Sequence, residues 1–220
     1  MRGQPFPIVA TDLISINPEN PEPAVVERAV REISRGKVVG VPTDALYVVM
    51  ADPLNLSAVG RVFAAKGRES IRSLPLAVSD TLMAEDLAKE LNSRFYILAR
   101  HFWPGPLTMI VPASAKVPLK VTGNTGRLAM RHAKSPVVNA IVDRMGHALI
   151  ATSANLSGEP TITSGIDLFA TLDGRIDLVL DGGACGGLGP TTIDITEPYW
   201  RVIKEGAITT KDIAERLKSC

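Results

Sequence analysis

Cysteine and histidine are scarce in this chain: two of the first, Cys185 and Cys220, and three of the second in 220 residues. Two cysteines cannot build a disulfide scaffold, and so few scattered histidines give no metal-ligand spacing. Charge of one sign is equally lacking. The formal net charge is +1, so no overall basic field argues for nucleic acid, no acidic excess argues for disorder, and any basic patch has to be local. No segment reaches the roughly 18 apolar residues of a membrane span. The N-terminal stretch MRGQPFPIVATDLISINPENPEP lacks the apolar core of a signal peptide. A soluble protein of the reducing cytoplasm, without a membrane partner, is the expectation. What is present is 45% hydrophobic residues, ample for one buried core, and one domain is expected.

Along the chain, helical and strand patterns are interspersed without a linker or repeat. PEPAVVERAVREISRGK has apolar residues at helical spacing, with Gly36 where a helix would end. KVVGV reads as a buried strand, broken at Pro42-Thr43-Asp44 and resumed at Leu-Tyr-Val-Val. Asn55 is placed to cap a helix over LSAVGRVFAAK that ends at Gly67. LPLAV is a short strand, and MAEDLAKELNSRFYILARHF reads as one long helix stopped by WPGP. LTMIVP, RLAMR, ALIATSA, IDLVLDGG and TTIDIT follow as strands, with SPVVNAIVDRMG and SGIDLFATL as helices. The fold class is therefore α/β, a mixed sheet flanked by helices. Residues 1–22 read as a lead-in, 23–212 as the single domain and 213–220 as a tail.

Glycine and proline gather where strands end, in PTDA, WPGP, SGEP and GGACGGLGP. Irregular backbone at strand ends is where α/β folds place ligands. Lys66-Gly67-Arg68 sets two cations about a helix-ending glycine, a small mobile positive pocket for phosphate oxygens; helix-terminal cations that merely offset the dipole are the competing reading. Ser153, Asn155, Ser157 and Gly158 put hydroxyls and one amide at a strand end, where they suit a nucleotide or amino acid, or else form an Asx or Ser turn. In RLAMR, Arg127, Ala129 and Arg131 share one strand face, and two arginines there seek an anion or a carboxylate, unless the strand is a solvated edge.

Several familiar signatures fail on context. Gly183-Ala-Cys185-Gly-Gly187 has the spacing of a thiol nucleophile elbow, but a strand follows where a helix is required. Gly182 and Gly187 have Walker A separation, yet Leu188 stands where the lysine belongs. No GxGxxG opens a helix.

Taken in order, GKVVGVPTDALY, AAKGR with PLAV, FWPGPLT, RLAMR, ATSANLSGEP, IDLVLDGG with PTTIDIT, and KEGAI resemble the YrdC family, also called the TsaC or threonylcarbamoyl-AMP synthase family. The ordered set spans about residues 30 to 208. The resemblance implies a twisted mixed sheet around a large, positively lined concave cavity. It also implies a reaction in which L-threonine, bicarbonate and ATP, with Mg²⁺ accompanying the ATP, give threonylcarbamoyl-AMP and pyrophosphate. A separate transferase would then use that adenylate to modify adenosine 37 of tRNA. By the same resemblance Lys66 and Arg68 are the catalytic, phosphate-holding cations, and Arg127, Ser153, Asn155, Thr161 and Lys204 are further nucleotide contacts. Thr43, Ala45, Ser79, Arg131, Ala151 and Thr191 occupy the positions implied around threonine and its carbamate.

The chain departs from the family pattern at named points. Ala45 stands where the family has a threonine that touches the amino acid, and Val48 replaces a glycine, adding bulk that narrows the cavity. Ser79, His132, Thr191 and Lys204 stand where histidine, proline, serine and arginine are usual. The nucleotide half is thus better kept than the amino-acid half. Two alternatives follow: a paralogue adenylating another carbamate or carbamoyl group, and a non-catalytic module that binds a nucleotide or, weakly, RNA.

Overall fold

The computed structural model describes residues 10–67 and 72–218. In chain order it runs β1 (Asp12–Ser15), α1 (Pro23–Ser34), β2 (Val39–Val41), β3 (Val48–Ala51), α2 (Leu56–Ala65), β4 (Leu76–Ala77), α3 (Thr81–Leu87), α4 (Ser93–Phe102) and β5 (Leu107–Pro112). Then come α5 (Leu119–Thr122), β6 (Arg127–Arg131), α6 (Pro136–Met145), β7 (Leu149–Ser153), α7 (Gly165–Leu172), β8 (Leu178–Asp181), β9 (Thr191–Asp194), β10 (Arg201–Lys204) and α8 (Thr210–Leu217). All the strands join one mixed sheet in the order β1-β8-β2-β3-β7-β4-β6-β5-β9-β10. The expected α/β class with a mixed sheet is what the chain adopts. Among the described residues no helix is long and apolar enough to cross a membrane.

Local chemistry accounts for the helix ends. Asn55 Oδ1 accepts from the amides of Ser57 and Ala58 at 3.0 and 3.1 Å and starts α2, which buries Ala58, Val59, Val62 and Phe63 on one stripe. Ser135 caps α6, Pro136 follows at its first turn, and Gly146 ends it with φ of +71°.

Three expectations are corrected. The stretch from Met83 to Phe102 is not one helix: Ala88 is extended (φ −88°, ψ 149°), bridges Ala113, and Asn92 caps a new helix. The amide of Lys89 is taken by Pro112 O at 2.9 Å, a long-range bond that apolar periodicity cannot report. The lead-in contains β1, paired in parallel with β8, so it belongs to the sheet. The tail holds the end of α8, whose Ile213 and Leu217 are buried.

Strand alternation divides the sheet into two faces. One carries Val49, Leu76, Met109, Leu128, Met130 and Ile150 and is covered by α2, α4, α5, α7 and α8. Gly40 lies on that side, where a Cβ would stand 2.5 Å from Leu168 Cδ2, so glycine lets α7 settle close to β2. The other face carries Val39, Val41, Met50, Leu149, Leu178 and Leu180 beneath α1 and α6. These two helices roof the strands from β1 to the start of β7, with Ala77 of β4 at the margin. Beyond them, over β4, β6, β5 and β9, the same face is open, and it is lined by Ala129, Arg131, Thr108, Ile110 and Thr192.

Candidate active site

The broken strand at Pro42-Thr43-Asp44 explains itself in three dimensions. Thr43 Oγ1 donates to Leu46 O at 2.6 Å and accepts from the amides of Ala45 and Leu46, both at 3.2 Å. Its hydroxyl therefore closes the turn between β2 and β3. Asp44 projects from that turn to form an ion pair through Oδ1 with Arg131 Nη2, while Arg131 Nε donates to Gly105 O at 2.9 Å. Arg131 is 8% exposed. Burial pulls its pKa below the ordinary arginine value and the Asp44 carboxylate pulls it back, so the guanidinium stays charged beside its counter-ion. Of the two alternatives for this arginine, carboxylate or anion, the carboxylate is present within the fold.

Lys66 is not the mobile cation that its place after α2 suggests. It is 3% exposed, and its ammonium donates to the carbonyls of Ser153 and Asn155, the latter at 2.8 Å. The amide of Ser157 returns a bond to Lys66 O at 2.9 Å. The lysine thus braces the turn that follows β7. Asn155 Nδ2 donates to Leu156 O at 2.8 Å and Glu159 O at 2.7 Å, leaving its buried Oδ1 without a hydrogen-bond partner. The turn reading of this stretch is what these bonds show, since Asn155 folds the turn, while its buried Oδ1 remains an unmet acceptor, a costly feature.

These elements meet around one concave cavity of about 490 Å³ on the open part of the sheet, within the usual range of small-molecule sites. Thr43, Lys66, Arg131, Ala151, Ser153, Asn155 and Lys204 all border it, as does Val48. Arg68 lies outside the described residues. The remaining expected residues sit elsewhere. Ala45 is buried in the core under α6, its amide tied to Thr43. Ser79 is half-buried between β4 and α3, and Thr161 is exposed; neither borders the cavity. Arg127, at the far end of β6, is paired with Asp194 at 2.8 Å and Glu197 at 2.7 Å and borders a different hollow with Tyr199 and Trp200.

Thr191 is corrected by strand parity. It is fully buried, donates to Ile208 O at 2.6 Å and accepts from the amides of Gly206 and Ile208 at 2.8 and 3.1 Å. Thr192, one residue on, faces the cavity. The bonds of Thr191 hold the turn after β10 against the Gly189-Pro190 rim, where a Cβ on Gly206 would lie 2.1 Å from Gly189 O. That packing presents Lys204 at the cavity mouth. Sequence reading also passed over Arg72, Ser73 and Thr108, which line the wall. Thr108 carried a faint signal, a hydroxyl inside an otherwise apolar strand; Arg72 and Ser73 carried none.

Two further groups shape the border. Tyr47 is buried, and its hydroxyl donates to Gly183 O at 2.7 Å and accepts from Gly182 N at 3.0 Å, latching the start of the glycine-rich loop after β8. Burial raises the pKa of this phenol, which stays neutral. Burial likewise pushes the Cys185 thiol up, so it does not present a thiolate. Among the described residues no group of three or more His, Cys, Asp and Glu could hold a metal ion. The described residues of the cavity therefore supply cations and hydroxyls for an anionic ligand, and among them no covalent nucleophile stands with a base beside it.

A family model for the Sua5/YciO/YrdC domain, described as telomere recombination, matches residues 31–206. The threonylcarbamoyl-AMP synthase of Pyrococcus abyssi is 34% identical over 182 residues, which is 82% of this chain and 54% of that protein. The threonylcarbamoyl-AMP synthase of Bacillus subtilis is 32% identical over 215 residues, 97% of this chain and 61% of the relative. The chain thus spans somewhat more than half the length of these two curated relatives. The crystal structure of P. abyssi Sua5 complexed with L-threonine superposes with a TM-score of 0.91 at 32% identity, covering 94% of this chain and 61% of that one.

Proposed function

Because this chain belongs to the Sua5/YciO/YrdC family, we propose that its cavity joins L-threonine, bicarbonate and ATP to give threonylcarbamoyl-AMP, pyrophosphate and water. The observation that carries this reading is the meeting of Lys66, Arg72 and Lys204 with Ser153 and Asn155 around one hollow on the uncovered sheet face. Threonine's amine adds to the carbon of bicarbonate, from which water leaves, or to CO2 with loss of a proton, forming a carbamate. A carbamate oxygen then attacks the α-phosphorus of ATP, and the bond to the bridging oxygen breaks to release pyrophosphate. The substrate is its own nucleophile, so the protein's task is alignment and positive charge.

In this reading Lys66, held by two carbonyls, places one fixed cation against the phosphates, and Arg68 joins it. Arg72 and Lys204 at the mouth follow the departing pyrophosphate. Ser153 and Asn155, which border the hollow at the turn after β7, receive the nucleoside. Arg131, beside Thr43 and Ala151, receives the amino-acid carboxylate. Mg²⁺ would be held by the ATP phosphates, where it would neutralise charge, since the described residues of the wall offer it no carboxylate set. The product is a mixed anhydride that water destroys, which suits transfer to a separate enzyme acting on tRNA.

The test is pyrophosphate release from ATP, assayed with threonine and bicarbonate together and with each omitted. Release should require both, and Lys66→Ala should lower it by about 100-fold or more. Release that ignores threonine or bicarbonate, or none with both present, would overturn the reading. Nucleotide binding without turnover would leave a binding module instead.

A further inference from the structure

The cations of the cavity are not equivalent. Arg131 borders it while forming an ion pair with Asp44, both side chains being largely buried. Part of the arginine fork is taken, Nε by Gly105 O at 2.9 Å and Nη2 by the carboxylate; the remaining N–H donors are left for a ligand. Asp44 stands behind the arginine and does not border the cavity, so it acts on a ligand through Arg131 and through its own charge. The Thr43 hydroxyl closes the turn that carries it and holds the carboxylate in place. At the mouth the situation differs: among the described residues Arg72 and Lys204 have no carboxylate within ion-pair distance.

The two regions therefore attract anions for different reasons. Around Arg131 the charges of the pair cancel, and what is offered is a set of directed N–H donors. A carboxylate, flat and singly charged, can take those donors edge-on. A phosphate group carries more charge, all of it repelled by Asp44 in a largely buried setting where such repulsion is poorly screened. We propose that Asp44 is a specificity-determining residue that reserves Arg131 for a carboxylate and turns phosphate away, so that the triphosphate settles at Lys66, Arg72 and Lys204. The inference rests on the synthase reading above and accounts for how a cavity with several cations receives two anions in one order and not the reverse. The device is a repulsive group aimed at the wrong ligand. Taking its charge away leaves a buried, uncompensated guanidinium, and the anion that then gains most is the one with most charge.

The experiment titrates inorganic phosphate, and acetate as the carboxylate probe, into the parent protein, Asp44→Asn and Asp44→Glu, reading binding by calorimetry and by the shift in melting temperature. Beside it, pyrophosphate release from ATP with L-threonine and bicarbonate is measured with each anion as inhibitor. In the parent, acetate should compete with threonine, and phosphate should compete with ATP only. In Asp44→Asn, phosphate should bind about 10- to 100-fold more tightly and raise the KM for threonine, while acetate gains less. Asp44→Glu should keep the parent pattern. Adding Arg131→Gln to Asp44→Asn should cancel the gain in phosphate binding; a gain that survives overturns the proposal. A role limited to holding the turn predicts weaker threonine binding and a lower melting temperature in Asp44→Asn with no gain for phosphate, and that result also overturns it. If Asp44→Asn does not fold, the parent decides: phosphate that erodes the melting shift given by threonine as strongly as acetate does sinks the inference. Should no variant release pyrophosphate, the synthase reading falls, and the phosphate and acetate titrations still decide the role of Asp44.

Discussion

One face of the sheet has two fates. Over β8, β2 and β3 it carries Leu178, Leu180, Val39, Val41 and Met50 and is sealed by α1 and α6. A few strands further on, over β6, β5 and β9, it carries Ala129, Arg131, Thr108, Ile110 and Thr192 and is open. The strand geometry and the alternation are the same in both halves; what differs is whether a helix crosses above. Where one does, burial of aliphatic side chains stabilises the fold. Where none does, small residues, hydroxyls and one compensated arginine leave a hollow that a ligand can fill. The Arg131–Asp44 pair stands at the boundary, and Asp44 comes from the turn leaving the sealed half, so the two halves are joined by charge as well as by backbone.

The contrast can be broken most directly by truncating one residue on each side. Met50→Ala, in the sealed half, should lower stability by about 2–5 kcal/mol, read as a fall in the denaturant midpoint at constant m-value. Ile110→Ala, in the open half, should cost less than about 1 kcal/mol, because its removal leaves space already continuous with solvent. Equal costs would mean that the hollow is closed in solution. A smaller effect sharpens the parity of β9. Thr191→Val keeps the volume but strands two buried amides and a carbonyl, so it should cost about 1–3 kcal/mol and raise the KM for ATP by loosening the turn that presents Lys204. Thr192→Val should leave stability nearly unchanged and alter turnover alone.

The smallest effect concerns His132, beside Trp103 at a ring-centroid distance of 6.5 Å. Burial lowers its pKa, with the Asp80 and Asp143 charges acting the other way. Its folded pKa lies below the unfolded value, so between the two the unfolded chain binds more protons and stability rises with pH. The contribution is present above the unfolded pKa of about 6.5. It is lost as pH falls from there toward the folded pKa. His132→Gln should flatten the melting temperature between about pH 7 and 5.5 relative to the parent, and an unchanged slope would assign the dependence to other groups.

The sequence was legible wherever the signal was local. Asn55, Ser135 and Gly146 mark helix ends by their own chemistry, and α1, α2, α6 and α7 follow from period and cap. The strands that flank the cavity were also readable, as was the presence of Lys66 after α2 and of Ser153, Asn155 and Ser157 at the end of β7. Residues whose neighbours come from far along the chain were not. The split between α3 and α4 depends on Lys89 finding Pro112. Arg127 and Arg131 look equivalent in RLAMR, yet one meets Asp194 and Glu197 at the far end of the strand and the other meets Asp44 at the cavity. Thr191 and Thr192 are adjacent and chemically identical, and only the register of β9 beside β5 shows which one faces the hollow.

By itself, then, the order of residues determined most of the elements, the helix ends that carry their own caps, and the stock of cations and hydroxyls available at strand termini, because caps, turns and periodicity act over a few residues. The tertiary structure alone decided which part of the sheet stays uncovered and which charges are already answered. Alternation gives every strand two faces without saying which will be roofed, and the partner of Arg131 lies 87 positions away in the chain. Such a pairing is set by how the sheet is assembled and not by any neighbour in sequence.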